Sequence, residues 1–363
     1  MQPTAPAAAG LAAFGHELLG QLSTRHPGTN LVVSPASIAT CFAMLRPGAG
    51  GETGRQIDAT LHFPDVAVSP AYARLAADWS CRQLSIANAV WLQEGLRVRE
   101  EYVRVVEADF GAAVRRVDFG SPAALDVLNA WVRQQTHGLI DTLLEQVPDR
   151  TGVVLANAVH IEATWQRSFD ASDTAERPFH LADGRQVPAR TMSTLETFEY
   201  ATDEGWRAVR LPYADCDLAL WVLLPDPGTE PLSMLAPRVL ERAWSVARAE
   251  RLQLRLPTWR SRSDLDLQAT LAALGMQVPF EPGADLTAMS TDVERISAVV
   301  HRAVIAVDEQ GTVAAAVTGI AMRTVSMPAP GTALTVDRPF AYTLVHEPTG
   351  TSLFCGVVHD PRD

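Results

Sequence analysis

Ser34, Ser37, Asn157 and His301 are the residues whose types could do chemistry together. Two hydroxyls, an imidazole and an amide invite a hydrolase reading, with a serine nucleophile and its base still lacking an acid. No Gly-x-Ser-x-Gly elbow surrounds either serine, and Ser34-Pro35 suits a helix N-cap and first-turn proline better than a nucleophile. An ordinary satisfied core network is the plain alternative, because buried polar groups require partners. His137, His160 and His180 stand at no metal-ligand spacing with a Cys, Asp or Glu, and Cys41, Cys81, Cys216 and Cys355 form no Cys-x-x-Cys pair. No metal and no cofactor are therefore expected. Glu100-Glu101 and Glu107 with Asp109 fall on one helix-like segment and read as a solvent face rather than an acid and base pair.

Composition removes further classes. All 30 basic residues are Arg, which excludes a Walker lysine, a Schiff-base lysine and a Ser-x-x-Lys acylating site. A GC-rich genome favouring Arg codons is the simplest cause. The net charge of -12 argues against a nucleic-acid partner, which needs a basic face. No run approaches the ~20 apolar residues of a membrane helix, while 47% apolar content over 363 residues is enough for a large core. No linker divides the chain, so residues 1–363 read as a single domain.

The elements that must carry these residues are mixed. Leu11 to Leu22 and Leu125 to Thr136 show helical spacing, the second stopping at Gly138, and Ile38, Cys41, Phe42 and Leu45 follow the Ser34 cap at the same period. Strand-like runs are Leu84 to Leu92, Val153 to Ile161, Ala208 to Leu211, Leu218 to Leu224, Leu252 to Leu256, Val299 to Val307, Leu334 to Val336, Tyr342 to His346 and Ser352 to Val358. Helices come mainly first and strands later, which predicts an α+β fold. Trp206, Trp221 and Trp244 read as core.

The stretch 308–318, Asp-Glu-Gln-Gly-Thr-Val-Ala-Ala-Ala-Val-Thr, is a strand end, a glycine pivot and a run of small uncharged residues. Such a segment can be buried in a sheet without desolvating an ion. Glu309, Gly311, Thr312, Val313, Ala314, Ala315 and Ala316 would form the hinge of a loop built to enter a sheet, and 319–331 reads as an exposed, Pro-ended bait.

That order of hinge, variable loop, Arg338-Pro339-Phe340 strand and Phe354-Cys355-Gly356-Val357-Val358 strand resembles the serpins. The resemblance spans nearly the whole chain. Asn30-x-x-x-Ser34-Pro35-x-Ser37-Ile38, the Gly48-to-Thr53 turn with Ile57, the Leu128 to Ile140 and Val154 to Trp165 segments, and 298–303 all fall in family order. It implies a serpin fold, with helices packed on a large mixed, mainly antiparallel five-stranded central sheet, two smaller sheets and an exposed reactive-centre loop at about 309–333. It also implies a bacterial-type inhibitory protein with a metastable fold and no enzymatic activity of its own. Ser34, Ser37, Asn157 and His301 would be a latch under the middle of that sheet, with His and Asn bonding the Ser hydroxyls. Trp165 would sit at the sheet top where the hinge enters, with core packing the plainer role. Glu309 would pair with a Lys in the family; Thr258 stands where that Lys is expected, so the ion pair is absent or made by an Arg such as Arg260.

The implied function is irreversible suicide-substrate inhibition of serine endopeptidases through a covalent acyl-enzyme, followed by insertion of the hinge. Family spacing from Glu309 puts the cut at Val325-Ser326, and Thr324-Val325 suits elastase-like or subtilisin-like pockets. Arg323 is a second candidate, for trypsin-like or papain-like enzymes, with Met322 and Met327 behind it. A non-inhibitory binding serpin is the alternative function. The implied protein is a monomer, and the segment from Phe63 to Leu84 is too short, and not basic enough, for a heparin-binding helix. The family suggests an extracellular protein, yet Met1 to Gly10 carry neither a basic start nor a long apolar run, which leaves a cytoplasmic home open.

Overall fold

The computed structural model describes residues 6–79, 81–110, 114–148, 150–312 and 332–362. The hinge residues Val313, Ala314, Ala315 and Ala316 and the candidate reactive residues Arg323, Thr324, Val325 and Ser326 lie outside them.

Eight α-helices are present among the described residues: α1 (Pro6–Arg25), α2 (Pro35–Leu45), α3 (Gly51–Thr60), α4 (Val68–Asp78), α5 (Glu100–Phe110), α6 (Ala124–Gln135), α7 (Pro237–Val246) and α8 (Gln268–Ala273). Six of the eight precede most of the strands, in line with the α+β reading. The cap of α2 forms as its sequence dictates: the Ser34 Oγ accepts the Ser37 N–H and Pro35 opens the first turn. Every residue of α2 is buried, so it is the central helix on which the sheets close. Past α6, His137 and Gly138 both adopt left-handed backbone, with φ of 49° and 83°, and turn the chain back over the sheet.

The main sheet runs β3 (Val114–Val117), β2 (Leu84–Gln93), β4 (Val153–Ile161), β12 (Ala298–Val307) and β11 (Trp259–Asp266), with two short strands, β13 (Gly311–Thr312) and β5 (Ala163–Thr164), at one end. Its pairings are mixed: β2 with β4 and β12 with β11 are antiparallel, whereas β3 with β2 and β4 with β12 are parallel. All nine residues of β4 are buried, as expected of a strand covered on both faces.

The other nine strands form one hydrogen-bonded path: β1 (Leu31–Val33), β16 (Thr351–Val358), β15 (Phe340–His346), β9 (Leu218–Pro225), β8 (Trp206–Pro212), β7 (Gln186–Asp203), β10 (Arg248–Pro257) and β14 (Thr332–Thr335), with β6 (Ala175–His180) on β7. The two smaller sheets of the expected fold are joined here by the long strand β7, which pairs β8 over its last residues and β10 and β6 over the rest.

Several short strands and two long ones escape the sequence pattern. In β11, buried Trp259, Ser261 and Ser263 alternate with exposed Arg260, Arg262 and Asp264, so the period of two is present but the inward residues are small and polar. In β7 the buried residues Val187, Ala189, Thr191, Met192, Phe198 and Ala201 are spread along a long strand among exposed polar ones. Trp206, Trp221 and Trp244 pack in the main core, as expected.

Candidate functional site

The four polar residues meet where α2 touches the middle of the main sheet. His301 of β12 lies in register with Asn157 of β4, and Asn157 with Asn88 of β2. The His301 Nδ1–H donates to Asn157 Oδ1, and the Asn157 amide donates to Ser37 Oγ and to Asn88 Oδ1. His301 Nε2 accepts from the Ser34 backbone N–H at 3.2 Å. The Ser34 hydroxyl itself donates to the Leu353 carbonyl at 2.6 Å, which corrects the expectation that the imidazole bonds a serine hydroxyl. With one ring nitrogen donating and one accepting, His301 is neutral, and burial, reinforced by the neighbouring Arg302 charge, pushes its pKa down to about 3. No acid faces that ring and both serines are consumed as a cap and a bridge, so the hydrolase reading fails. Asn88 is the member that sequence reasoning missed; its only signal was a polar residue in an apolar strand.

At the sheet end, the chain leaves β12 and reverses through Asp308, whose Oδ1 accepts the N–H of Gln310 at 2.8 Å and of Gly311 at 3.1 Å. Gly311 and Thr312 then form a two-residue strand between β12 and β5, antiparallel to both. Glycine is required at the first position, since a Cβ would lie 2.0 Å from the Ala163 carbonyl oxygen. Thr312 is fully buried and its hydroxyl is bonded to the Tyr213 hydroxyl. Trp165 stacks on Tyr213 with ring centroids 4.5 Å apart. It also holds the hinge directly, its indole N–H donating to the Asp308 carbonyl at 2.9 Å and its backbone N–H to the Gln310 carbonyl at 2.8 Å.

Glu309 does have an ionic partner, and it is neither absent nor Arg260, which is exposed on β11. Arg190 of β7 donates to Glu309 Oε1 at 2.7 Å. Thr258, at the position expected of a Lys, packs beside that arginine with its backbone N–H on the Arg190 carbonyl at 2.9 Å. The positive charge has moved to the adjacent strand, whose long Arg side chain reaches the same carboxylate. Burial works against the Glu309 anion, but hydrogen bonds, that of Arg190 first with the Glu309 backbone and Thr174 behind it, together with the Arg190 charge outweigh it and hold the carboxyl below its ordinary range.

This is a sheet whose seam opens at one end onto the start of another strand, above a polar latch. The family model described as Serpin (serine protease inhibitor) matches residues 9–361. The chain belongs to the serpin family. Similar relatives include a leukocyte elastase inhibitor of Bos taurus, 32% identical over 96% of this chain and 97% of the relative, and iripin-2 of Ixodes ricinus, 33% identical over 95% and 91%. Among solved structures, human thyroxine-binding globulin matches with a TM-score of 0.88 at 25% identity, covering 98% of each chain. Serpin48 of Tenebrio molitor matches with a TM-score of 0.86 at 25% identity over 99% of each chain. The serpin is thus of a family described by protease inhibition rather than catalysis.

The fold also corrects the reading of the histidines. His137, after α6, His160, on β4, and Glu162, just beyond β4, bring a ligand atom each within 4.8 Å of one another, although His137 comes from a different element than the other two. His180 is exposed and stands apart from them, at the end of β6. Asp109 is less purely a solvent-face residue than expected, since it accepts the Ser69 hydroxyl at 2.6 Å.

Proposed function

We propose that this serpin is an irreversible suicide-substrate inhibitor of serine endopeptidases of elastase or subtilisin type. The observation that carries the reading is the strand Gly311–Thr312, lodged between β12 and β5 at the end of a seam whose two walls, β4 and β12, are parallel. Continuing that strand down the seam would replace one parallel pairing by two antiparallel ones, the more stable kind.

The protease serine would attack the Val325 carbonyl carbon. The amide bond to Ser326 breaks, the Ser326 amine leaves with a proton from the protease's general acid, and an ester holds Val325 on the enzyme. The freed segment from Thr312 then inserts, as reactive loops of this family do. About a dozen residues gaining net hydrogen bonds of ~0.5–1.5 kcal/mol each, plus apolar burial, amount to ~10 kcal/mol. That is comparable with the whole stability of an ordinary domain. The tethered protease is displaced across the body before water can hydrolyse the ester.

The leukocyte elastase inhibitor among the relatives supports the substrate class. Arg323 keeps trypsin-like and papain-like enzymes as the second target class. The likeness to thyroxine-binding globulin favours a different second reading, a carrier that binds rather than inhibits. The lysine-free, Arg-rich composition supports a GC-rich source, with which a bacterial one is compatible although the relatives named above are animal proteins, and the family supports an extracellular setting.

The test is incubation with pancreatic elastase, a subtilisin and a trypsin, followed by denaturing gel and intact mass. A covalent complex with a released peptide beginning at Ser326 is expected. Clean cleavage by all three with no complex and no rise in thermal stability would overturn the inhibitory reading in favour of a binding protein.

A further inference from the structure

Strands β4 and β12 present opposite faces of the seam to different partners. Asn157 and His301 point to α2, whereas Val154, Ala156, Ala158, Val300 and Val304 lie under α6 and the segment that follows it, against Ile140 and Leu143. That segment is a strap across the seam. On the β12 side the Arg302 guanidinium donates to the Leu143 carbonyl at 2.7 Å and the Thr142 carbonyl at 3.3 Å. On the β4 side the corresponding contact is made by titratable groups: the His137 and His160 rings meet edge to face with centroids 5.4 Å apart, and Glu162 stands beside them.

We propose that His137, His160 and Glu162 form a zinc-class metal site that ties the strap to β4. Two imidazoles and a carboxylate with room for a water make the donor set of an open tetrahedral Zn²⁺ centre. Such ligands sit about 2.0–2.2 Å from the ion, so the three donor atoms, already within 4.8 Å of one another, need only small side-chain rotations to close on it. His160 supplies the independent observation. It is buried, and its Nδ1 has no hydrogen-bond partner, whereas buried ring nitrogens are ordinarily satisfied. Burial also lowers its pKa, keeping it neutral and fit to ligate. The left-handed backbone at His137 is what turns this side chain back onto β4. An inserting strand has to pass beneath the strap, so zinc would act as a brake on insertion. The brake rests on the inhibitory reading; the site does not.

The experiment is a calorimetric titration of the purified chain with Zn²⁺ alone, repeated on His137→Ala and Glu162→Gln, both exposed positions that leave the core intact. One zinc per chain is expected, with slowed amide exchange over 137–143. Changes outside the first ligand shell already cost about 10- to 100-fold in affinity, so each variant should lose at least about tenfold. Absence of binding, or binding by both variants as tight as that of the wild type, overturns the site. With a protease that gives covalent complex in zinc-free buffer, added zinc should divert encounters toward cleaved, untrapped protein in the wild type and not in His137→Ala. Unchanged partition in the wild type overturns the brake. A chain that forms no complex even without zinc refutes the inhibitory reading and the brake with it, while the titration still decides the site.

Discussion

The seam between β4 and β12 is held in two ways along its length. At its end the walls diverge and admit Gly311 and Thr312, fixed by Trp165, Tyr213 and the turn at Asp308. In the middle the same walls meet directly, with His301 bonded to Asn157 and both tied to α2 through Ser34 and Ser37. The end is primed for a strand; the middle is satisfied without one. On the proposed inhibitory reading, insertion would have a starting point already formed and a barrier further down, where a complete set of buried polar bonds would be exchanged before a new backbone took their place.

The largest effect should come from abolishing the primed end. Thr312 is buried in the intact protein, so Thr312→Arg would force an unpaired guanidinium into the sheet at a cost of several kcal/mol. Each ~1.4 kcal/mol is about tenfold in an equilibrium. Cleavage by the target should continue and covalent complex should disappear from the gel. Gly311→Val should act alike, because its Cβ would collide with the Ala163 carbonyl. Stable complexes formed by both variants would break the distinction between end and middle.

Next in size is the latch. Asn157→Ala removes the acceptor of the buried His301 N–H, leaving it unsatisfied at ~1–3 kcal/mol, while Ser37 and Asn88 lose a donor but keep their own hydrogen bond at 3.2 Å. Denaturant midpoints should fall accordingly, and warming should convert the variant to a loop-inserted, inactive form faster than the wild type. The hinge contacts at Trp165 should be untouched, which amide exchange at Gly311 and Thr312 would report. Loss of protection there would show that the two regions are one cooperative unit.

A third test uses pH. His301 has a folded pKa of about 3, below its unfolded value near 6.5, so the unfolded chain takes up a proton first as pH falls. The stability this group supplies is complete above pH ~6.5 and drains away between there and pH ~3, at up to ~1.4 kcal/mol per pH unit. His301→Gln should flatten that part of the stability curve relative to the wild type. Identical slopes would place the acid sensitivity in other buried histidines, such as His160 and His346.

Much of this site was legible because local chemistry and global role coincide. Ser34-Pro35 is a helix start whatever the fold, and the charge-free run after Gly311 suits burial whatever its neighbours. What stayed hidden depends on distance in space. Arg190 reaches Glu309 from a strand over a hundred residues earlier, and Asn88 looks like any polar residue until β2 is laid beside β4. His137 and His160 share no local pattern, since one belongs to a turn and the other to a buried strand. Strand β11 was missed because its inward residues are serines, which a hydrophobic period cannot register.

The smallest effect should come from the ion pair at the hinge. The Glu309 side chain is 9% exposed but that of Arg190 is 63% exposed, so water and salt screen the pair and Glu309→Gln should cost ~0.2–1 kcal/mol at most. The sign of its pH dependence is set by the depressed Glu309 pKa: the contribution is present above the unfolded carboxylate pKa and is lost as pH falls through the folded one. Hinge exposure, read by proteolysis near Gly311, should rise on acidification and with added salt in the wild type, and be independent of both in Glu309→Gln. Because Trp165 and Tyr213 still grip the turn in that variant, trapping should survive with a modestly changed rate. If Glu309→Gln instead abolished the complex as fully as Thr312→Arg, the hinge would be held by its charge rather than by the buried threonine, and the primed end would be an electrostatic clasp.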